Sequence, residues 1–377
     1  MDWRTTAALG AVVAVVGSAL LGLRMRNGRA LMLMCSAGAA ALLVLSMAGA
    51  DITTAVNGAP SLLLVVGYSA GACVVADTGQ LDVLARRVPL RPLTVFIAAA
   101  VLTVFTSNDV VIVVLAPLVI SGLNPWRRTA ALYAGANATG LLLPQGSPTN
   151  VMIQNAAGLD WWGYVRESGA TTAVLFIAAA ATVALILNRR SRDEHTLKAT
   201  ESIRAALSTI AVAAATLALQ PMWAIAKWPT WTLGVFLLCG AIAVAARRQS
   251  GRAVLLRSAW IVIPAATAMS AAGTVFVQAM PHISGDAAAW SVFGLSGVVT
   301  DLAAAGFASG LVQENLIEPS LALASVSAGA FLSPVASLSG VLLLRECARA
   351  GLRPPARMFA WCAVISIAAM ASVTIVL

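Results

Sequence analysis

The stretch Phe105-Thr106-Ser107-Asn108-Asp109-Val110 is the polar centre of an apolar run, Pro92 to Ile120, whose only ionisable side chain is Asp109. An acid at the centre of a membrane helix costs roughly 2.5–3.5 kcal/mol, so we expect it to face protein or a water-filled cavity. Arginines flank the run on both sides, and basic loops tend to stay in the cytoplasm. Two full crossings need roughly forty residues, more than this run has. The sequence therefore predicts a re-entrant hairpin over residues 92–122, with the polar residues at its tip.

The composition indicates an all-α polytopic membrane protein. Of the 377 residues, 60% are hydrophobic and 10% are charged, and the mean hydropathy is +0.88. Soluble domains carry about 25% charged residues. The net charge of +9 comes from Lys and Arg in short loops, as membrane topology requires, and does not indicate a nucleic-acid partner. We expect a multi-pass protein of the cell membrane, surrounded by the lipid bilayer, with no cofactor and no metal site at its five scattered cysteines.

The chain divides into two halves of similar plan. Residues 1–188 form a first repeat, residues 189–204 a charged cytoplasmic linker, and residues 205–377 a second repeat. Each repeat is expected to contain five transmembrane helices, one of them broken, and one re-entrant hairpin. The unbroken helices are predicted over residues 5–23, 31–49, 61–76, 170–187, 206–219, 230–246, 261–279 and 359–377.

The breaks recur in matching places. A helix over 129–157 contains Pro144, Gly146 and Pro148, which cannot continue a regular helix, and a helix over 321–344 is interrupted near Pro334. A second hairpin is predicted over 288–312. Because five crossings are an odd number, the second repeat begins on the opposite face and is inverted. Inverted repeats with interrupted helices are typical of secondary transporters, whose binding site lies where the breaks meet.

Several of these segments resemble one transporter family. Residues 106–109 with 116–119 are similar to the first hairpin of the arsenical pump membrane proteins, which belong to the ion-transporter superfamily that also contains the divalent-anion/sodium symporters. Residues 136–139, 143–144 and 147–150 resemble the first broken helix of that family, and residues 333–338 resemble the second. The resemblance implies a secondary transporter of an oxyanion-type solute, commonly arsenite outward, coupled to H⁺ or Na⁺. It also implies a homodimer and, in some members, a separate ATPase subunit.

The polar residues at the hairpin tips and breaks are the candidates for binding substrate and coupling ion. Asp109 is the candidate coupling carboxyl group, because burial disfavours its charged form and lets it take up and release a proton. The alternative is that Asp109 and Asp301 only cap helices, and that the other residues only satisfy the backbone at the breaks. The candidates are Ser107, Asn108, Asp109, Gly146, Ser147, Thr149, Asn150, Thr300, Asp301, Ser337 and Ser339.

Three functions remain open at this stage. The first is ion-coupled efflux of arsenite, antimonite or a related metalloid. The second is ion-coupled transport of another anion, such as a dicarboxylate, citrate or sulfate. The absence of Lys and Arg from both breaks favours a neutral solute over an anion. The third, a membrane-embedded enzyme, would need a catalytic group of His, Cys or paired acids on facing helices, and the sequence indicates none. No ATP-binding loop of the Walker type is present, so ATP use would need another subunit.

Overall fold

A computed structural model describes residues 2–24, 29–77, 91–120, 125–189, 219, 222–223, 225–247, 262–279, 283–332, 337–352 and 356–376. These parts of the chain are helical and contain no strand, which confirms the all-α prediction. The predicted helix over 206–219, the linker over 189–204 and the second break at 333–336 fall almost entirely outside them.

The first half contains ten α-helices in the described ranges. They are α1 Trp3–Arg24, α2 Arg29–Met47, α3 Thr53–Gly58, α4 Leu63–Asp77, α5 Pro92–Phe105, α6 Asn108–Ile120, α7 Pro125–Gly140, α8 Pro148–Ala156, α9 Trp161–Tyr164 and α10 Ala170–Arg189. Short 3₁₀ turns cover Ala59–Leu62 and Pro144–Gly146, and a π-helical turn covers Val165–Gly169.

The remaining described helices follow the linker. They are α11 Thr230–Arg247, α12 Val262–Ala279, α13 Gly285–Val298, α14 Asp301–Gln313, α15 Pro319–Leu332, α16 Leu338–Arg349 and α17 Ala356–Val376.

The helix boundaries depart from the predicted ones where proline or a polar cap sets the first turn. The two broken helices begin at Pro125 and Pro319, a few residues before the predicted starts, because proline suits the first turn of a helix. The second hairpin begins at Gly285 rather than 288. The segment between the predicted helices over 31–49 and 61–76 contains helix α3, which begins where Asp51 accepts a hydrogen bond from the backbone N–H of Thr53 at 2.9 Å. That bond holds the pKa of the Asp51 carboxyl group below its ordinary value.

Two continuous helical stretches in the described residues are long and apolar enough to cross a membrane. They are Trp161–Arg189 and Arg357–Ile375. Six further apolar helices are shorter. Breaks account for part of this shortness, because the chain leaves helical geometry at Thr106, between α7 and α8, and at Val299. The protein therefore has the helical, apolar character of a membrane protein, with several helices interrupted part of the way along.

The two halves pack in corresponding ways. In the first half α7 contacts α5, α6 and α10, and in the second half α15 contacts α13, α14 and α17. Contacts between the halves also come in matching pairs, in which corresponding helices of the two halves trade places. Helix α6 contacts α16 while α14 contacts α8, and α2 contacts α12 while α4 contacts α11. The hairpin of each half thus lies against the broken helix of the other half.

Candidate functional site

Three helices begin at one small cavity, and a fourth begins beside it, bonded to the lining residue Asn137. Helix α6 starts at Asn108, α8 follows its N-cap Ser147, α14 follows its N-cap Thr300, and α16 follows Ser337. The cavity has a volume of about 20 Å³, which is room for roughly one water molecule. Its lining comes from both hairpins and both broken helices: Asn108, Asn137, Gly140, Leu141, Ser147, Thr149, Asp301, Val326, Ser327, Ala330 and Phe331.

Asn137 is the centre of a hydrogen-bond network that joins the two halves. Its Oδ1 accepts from Asn108 Nδ2 at 2.9 Å and from Ser339 Oγ at 2.8 Å. Ser339 Oγ is also 2.6 Å from Ser337 Oγ. Through its own Nδ2, Asn137 donates to the backbone carbonyl of Tyr133 at 2.9 Å. One amide on α7 therefore holds the tip of the first hairpin and the start of α16 in fixed positions.

Two carboxyl groups, one from each half, lie in the first turns of two helices at the site. Asp109 lies in the first turn of α6 and Asp301 in the first turn of α14. Asp109 is only 8% exposed, and the two groups are close enough to interact electrostatically. Like charges that interact in a low-dielectric site favour the binding of a proton or a cation. The described residues that line the cavity include no Lys or Arg.

The first break is held by its own polar residues. Asn150 Nδ2 donates to the carbonyls of Gly140 and Leu143, at 2.7 and 2.9 Å. The Tyr164 hydroxyl donates to the carbonyl of Leu141 at 2.9 Å. Gly146 lies directly against the backbone of Gly140, so a side chain at this position would collide with it. These contacts satisfy carbonyl groups that the interrupted helix leaves unpaired.

The predicted binding residues therefore separate into two groups. Asn108, Ser147, Thr149 and Asp301 line the cavity. The others lie beside it or hold its walls. The hydroxyl of Thr300 accepts from the Ala303 N–H at 3.1 Å and caps α14. The structure places Asn150 and Gly146 in the architecture of the break, with Asn150 Oδ1 left without a partner among the described residues. Ser337 and Ser339 contact the cavity through Asn137.

Sequence reasoning missed part of the lining. For Asn137 the sequence leaves open whether the side chain reaches the cavity or forms an interhelical hydrogen bond, and in the structure it does both. Its amide stands out in a helix of small residues, and that was an available signal. Ser327 and Phe331 were not identified. One is a serine in a helix rich in serine and alanine, and the other is an ordinary apolar residue, so neither carried a signal in the sequence.

Comparison with known proteins supports the membrane character. No protein-family model matches the chain. A segment of 102 residues is 33% identical to "Inner membrane protein YbiR" of Escherichia coli (strain K12), and the match covers 24% of this chain. The match spans 27% of the length of that relative. What this similarity supports is the location of the chain in a membrane.

Proposed function

We propose that this chain is a multi-pass secondary active transporter that moves a small polar solute across the cell membrane in exchange for, or together with, H⁺ or Na⁺. One observation carries the proposal: residues from two hairpins and two broken helices line a single small cavity that includes the acidic residue Asp301, and the buried Asp109 directly follows the lining residue Asn108. Irregular backbone at membrane depth is stable only where protein or water satisfies it, and in transporters such places bind substrate and coupling ion.

The proposal includes two inverted repeats. The exchanged contacts support it, because a pseudo-twofold axis relating the halves would convert the α6–α16 contact into the α14–α8 contact, and the α2–α12 contact into the α4–α11 contact. The charge of the connecting loops also supports inversion. The start of α7 is basic, with Arg127 and Arg128 in its first turn, whereas the loop before α15 is acidic, with Glu314 and Glu318.

Asp109 is the proposed coupling residue. It is buried, it lies at the hairpin tip, and it is paired electrostatically with Asp301. A proton or Na⁺ bound between these carboxyl groups would relieve their repulsion and stabilise one arrangement of the two tips. Release of the ion would then favour another arrangement, and this coupling is what ion-driven transport requires.

For the substrate we propose an arsenite- or antimonite-type metalloid. The acidic pair and the absence of a basic side chain from the described lining favour a neutral hydroxylated solute, and arsenous acid has this form at neutral pH. The resemblance of the hairpin tip and of both breaks to arsenical pumps supports the same substrate.

A second candidate is an anion such as a dicarboxylate, citrate or sulfate. It is favoured by a specific feature of the site, since the starts of α6, α8 and α14 line the cavity and helix N-termini attract negative charge.

Arsenite accumulation in energised cells that lack their own pump tests the proposal. Cells that express the chain should accumulate less arsenite, and the difference should vanish when the ion gradients are collapsed. Asp109→Asn should remove the effect, because the amide keeps the size of the side chain but cannot hold a proton. Asp286→Asn, at an exposed acid in the first turn of α13, is the matched control and should transport normally.

The remaining outcomes separate the candidates. If arsenite accumulation is unchanged but vesicles that contain the chain take up citrate or sulfate along an ion gradient, the anion candidate replaces the metalloid. Full activity of Asp109→Asn would contradict the role given to Asp109. No transport of any of these solutes would contradict the transporter proposal.

A further inference from the structure

A second, larger cavity lies away from the central one. It has a volume of about 260 Å³ and is enclosed by α3, the 3₁₀ turn Ala59–Leu62, and the helices α8, α12 and α14. Thr54 and Asn57 on its rim are exposed, so the cavity opens to the surface. Its polar side chains are Thr54, Asn57, Ser61, Asn155, Thr267, Ser270 and Gln313.

Two helices run from the central cavity to this outer cavity. Helix α8 begins beside the central cavity at Ser147 and ends in the outer cavity at Asn155 and Ala156. Helix α14 begins with Asp301 at the central cavity and ends with Gln313 in the outer one. At 1.5 Å per residue the two sites are about 12–18 Å apart.

One face of α8 connects the two cavities. Thr149, Met152 and Ala156 recur at helical spacing and therefore share a face. Thr149 lines the central cavity, while Met152 and Ala156 line the outer one. Met152 is only 5% exposed, and its unbranched side chain lies one turn from Thr149. The barrier between the cavities on this face is thus about one helical turn thick and carries a side chain that adapts its shape easily.

The outer cavity carries hydrogen-bonding groups but no charge. None of the described residues that line it is Asp, Glu, Lys or Arg. Asn155 donates to the carbonyl of Gly58 at 3.0 Å, and Gln313 Oε1 lies 3.2 Å from the Thr274 hydroxyl. Among the described residues nothing else bonds the Asn155 carbonyl or the Gln313 amino group, so both can bind a solute. The C-terminal ends of α8 and α14 both lie here, and helix C-termini carry partial negative charge that disfavours anions.

We propose that the outer cavity is a second solute site on the transport path, which binds small uncharged solutes through hydrogen bonds before or after they pass Met152, and which disfavours anions. This inference rests on the proposed transport function and adds the charge class of the solute to it. The amide and hydroxyl groups replace the water around a neutral hydroxylated solute, while the helix C-termini raise the free energy of a negatively charged one.

Attachment of a bulky group inside the cavity tests whether solute passes through it. Asn57→Cys places a thiol in the lining, and Val56→Cys places one on the neighbouring exposed position of α3, outside the lining. Each variant is assayed in vesicles with arsenous acid before and after reaction with a large uncharged maleimide, and the parent chain is treated identically. We expect at least a fivefold loss of rate after modification at position 57 and less than a twofold change at position 56. Saturating arsenous acid should also slow the reaction at position 57.

A nearly isosteric change tests the charge class. Asn57→Asp adds one negative charge to the lining without changing the size of the side chain. For a neutral solute we expect the KM to change less than twofold, whereas for an anion such as citrate the KM should rise about fivefold. A rise of that size for the solute that the protein transports would overturn the neutral class.

The inference and the proposed function fail in different ways. Unchanged transport after verified modification at position 57 would overturn the role of the outer cavity and leave the transporter proposal standing. An unmodified parent that transports neither arsenous acid nor the anions would overturn both.

Discussion

Asn137 shows how one uncharged side chain can join three structural elements. Its carbonyl oxygen accepts from Asn108 on the first hairpin and from Ser339 on α16, and its amino group donates within α7 to Tyr133. The side chain is buried at 8% exposure, so its partners have little access to water as a replacement. Buried donors without an acceptor cost about 1–3 kcal/mol each, although bonds between membrane helices are often weaker.

Asn137→Ala should therefore lower both stability and transport. We expect a loss of about 1–3 kcal/mol in the free energy of unfolding, since two buried donors lose their acceptor. Transport should fall at least tenfold, because displaced hairpin tips no longer form the site. Ser291→Ala is the control, since the exposed Ser291 hydroxyl donates only to the Ala287 carbonyl of its own helix. Thermal unfolding and vesicle transport measure the two effects, and wild-type values for Asn137→Ala would refute the role of the network.

At the scale of helices, close backbone contact fixes α14 against α12. Gly273 and Gly306 face each other, and a Cβ atom on Gly273 would collide with the backbone of Gly306. A Cβ atom on Gly306 would collide with the backbone of Met269. Small residues let membrane helices approach closely, and dispersion contacts and weak hydrogen bonds then stabilise the pair. This contact holds the helix that carries Asp301 at its start and Gln313 at its end.

Gly273→Ala should separate these two helices and destabilise the protein by about 1–3 kcal/mol. Gly294→Ala on α13 is the matched control, because nothing lies within 4 Å of the added methyl group. The control should be neutral or stabilising by up to about 1 kcal/mol, since alanine is the better helix former. Thermal unfolding in detergent compares them, and equal melting temperatures would argue against a tight α12–α14 contact.

At the scale of the whole molecule, the inverted-repeat proposal makes a statement about topology. Both ends of the first hairpin, at Arg91 and Arg127, should lie on the cytoplasmic face. Both ends of the second, at Asp286 and Glu318, should lie on the outer face. Single cysteines at these four positions should react with a membrane-impermeant reagent from one side only, in two opposite pairs, above the background of the parent chain. A hairpin whose ends react from opposite sides would be a full crossing instead.

The sequence by itself predicted the helical membrane class and the approximate places where helices are interrupted. These features depend on local physics. An apolar composition favours a membrane location. Proline, glycine and short polar residues such as Ser147 or Thr300 favour the end or the start of a helix through local geometry alone. Even here the boundaries shifted by a few residues, because Pro125 and Pro319 start their helices earlier than the apolar pattern does.

Only the tertiary structure decided which polar residues meet. It brings Asp109 near Asp301, binds Ser339 to Asn137, and turns Asn150 towards the backbone of its own break. It also creates the outer cavity, whose lining comes from helices distant in the chain. A sequence pattern indicates only which local structure its own segment favours. The partner of a buried polar group such as Ser339 is fixed by how segments far apart in the chain pack together, and no local pattern contains that information.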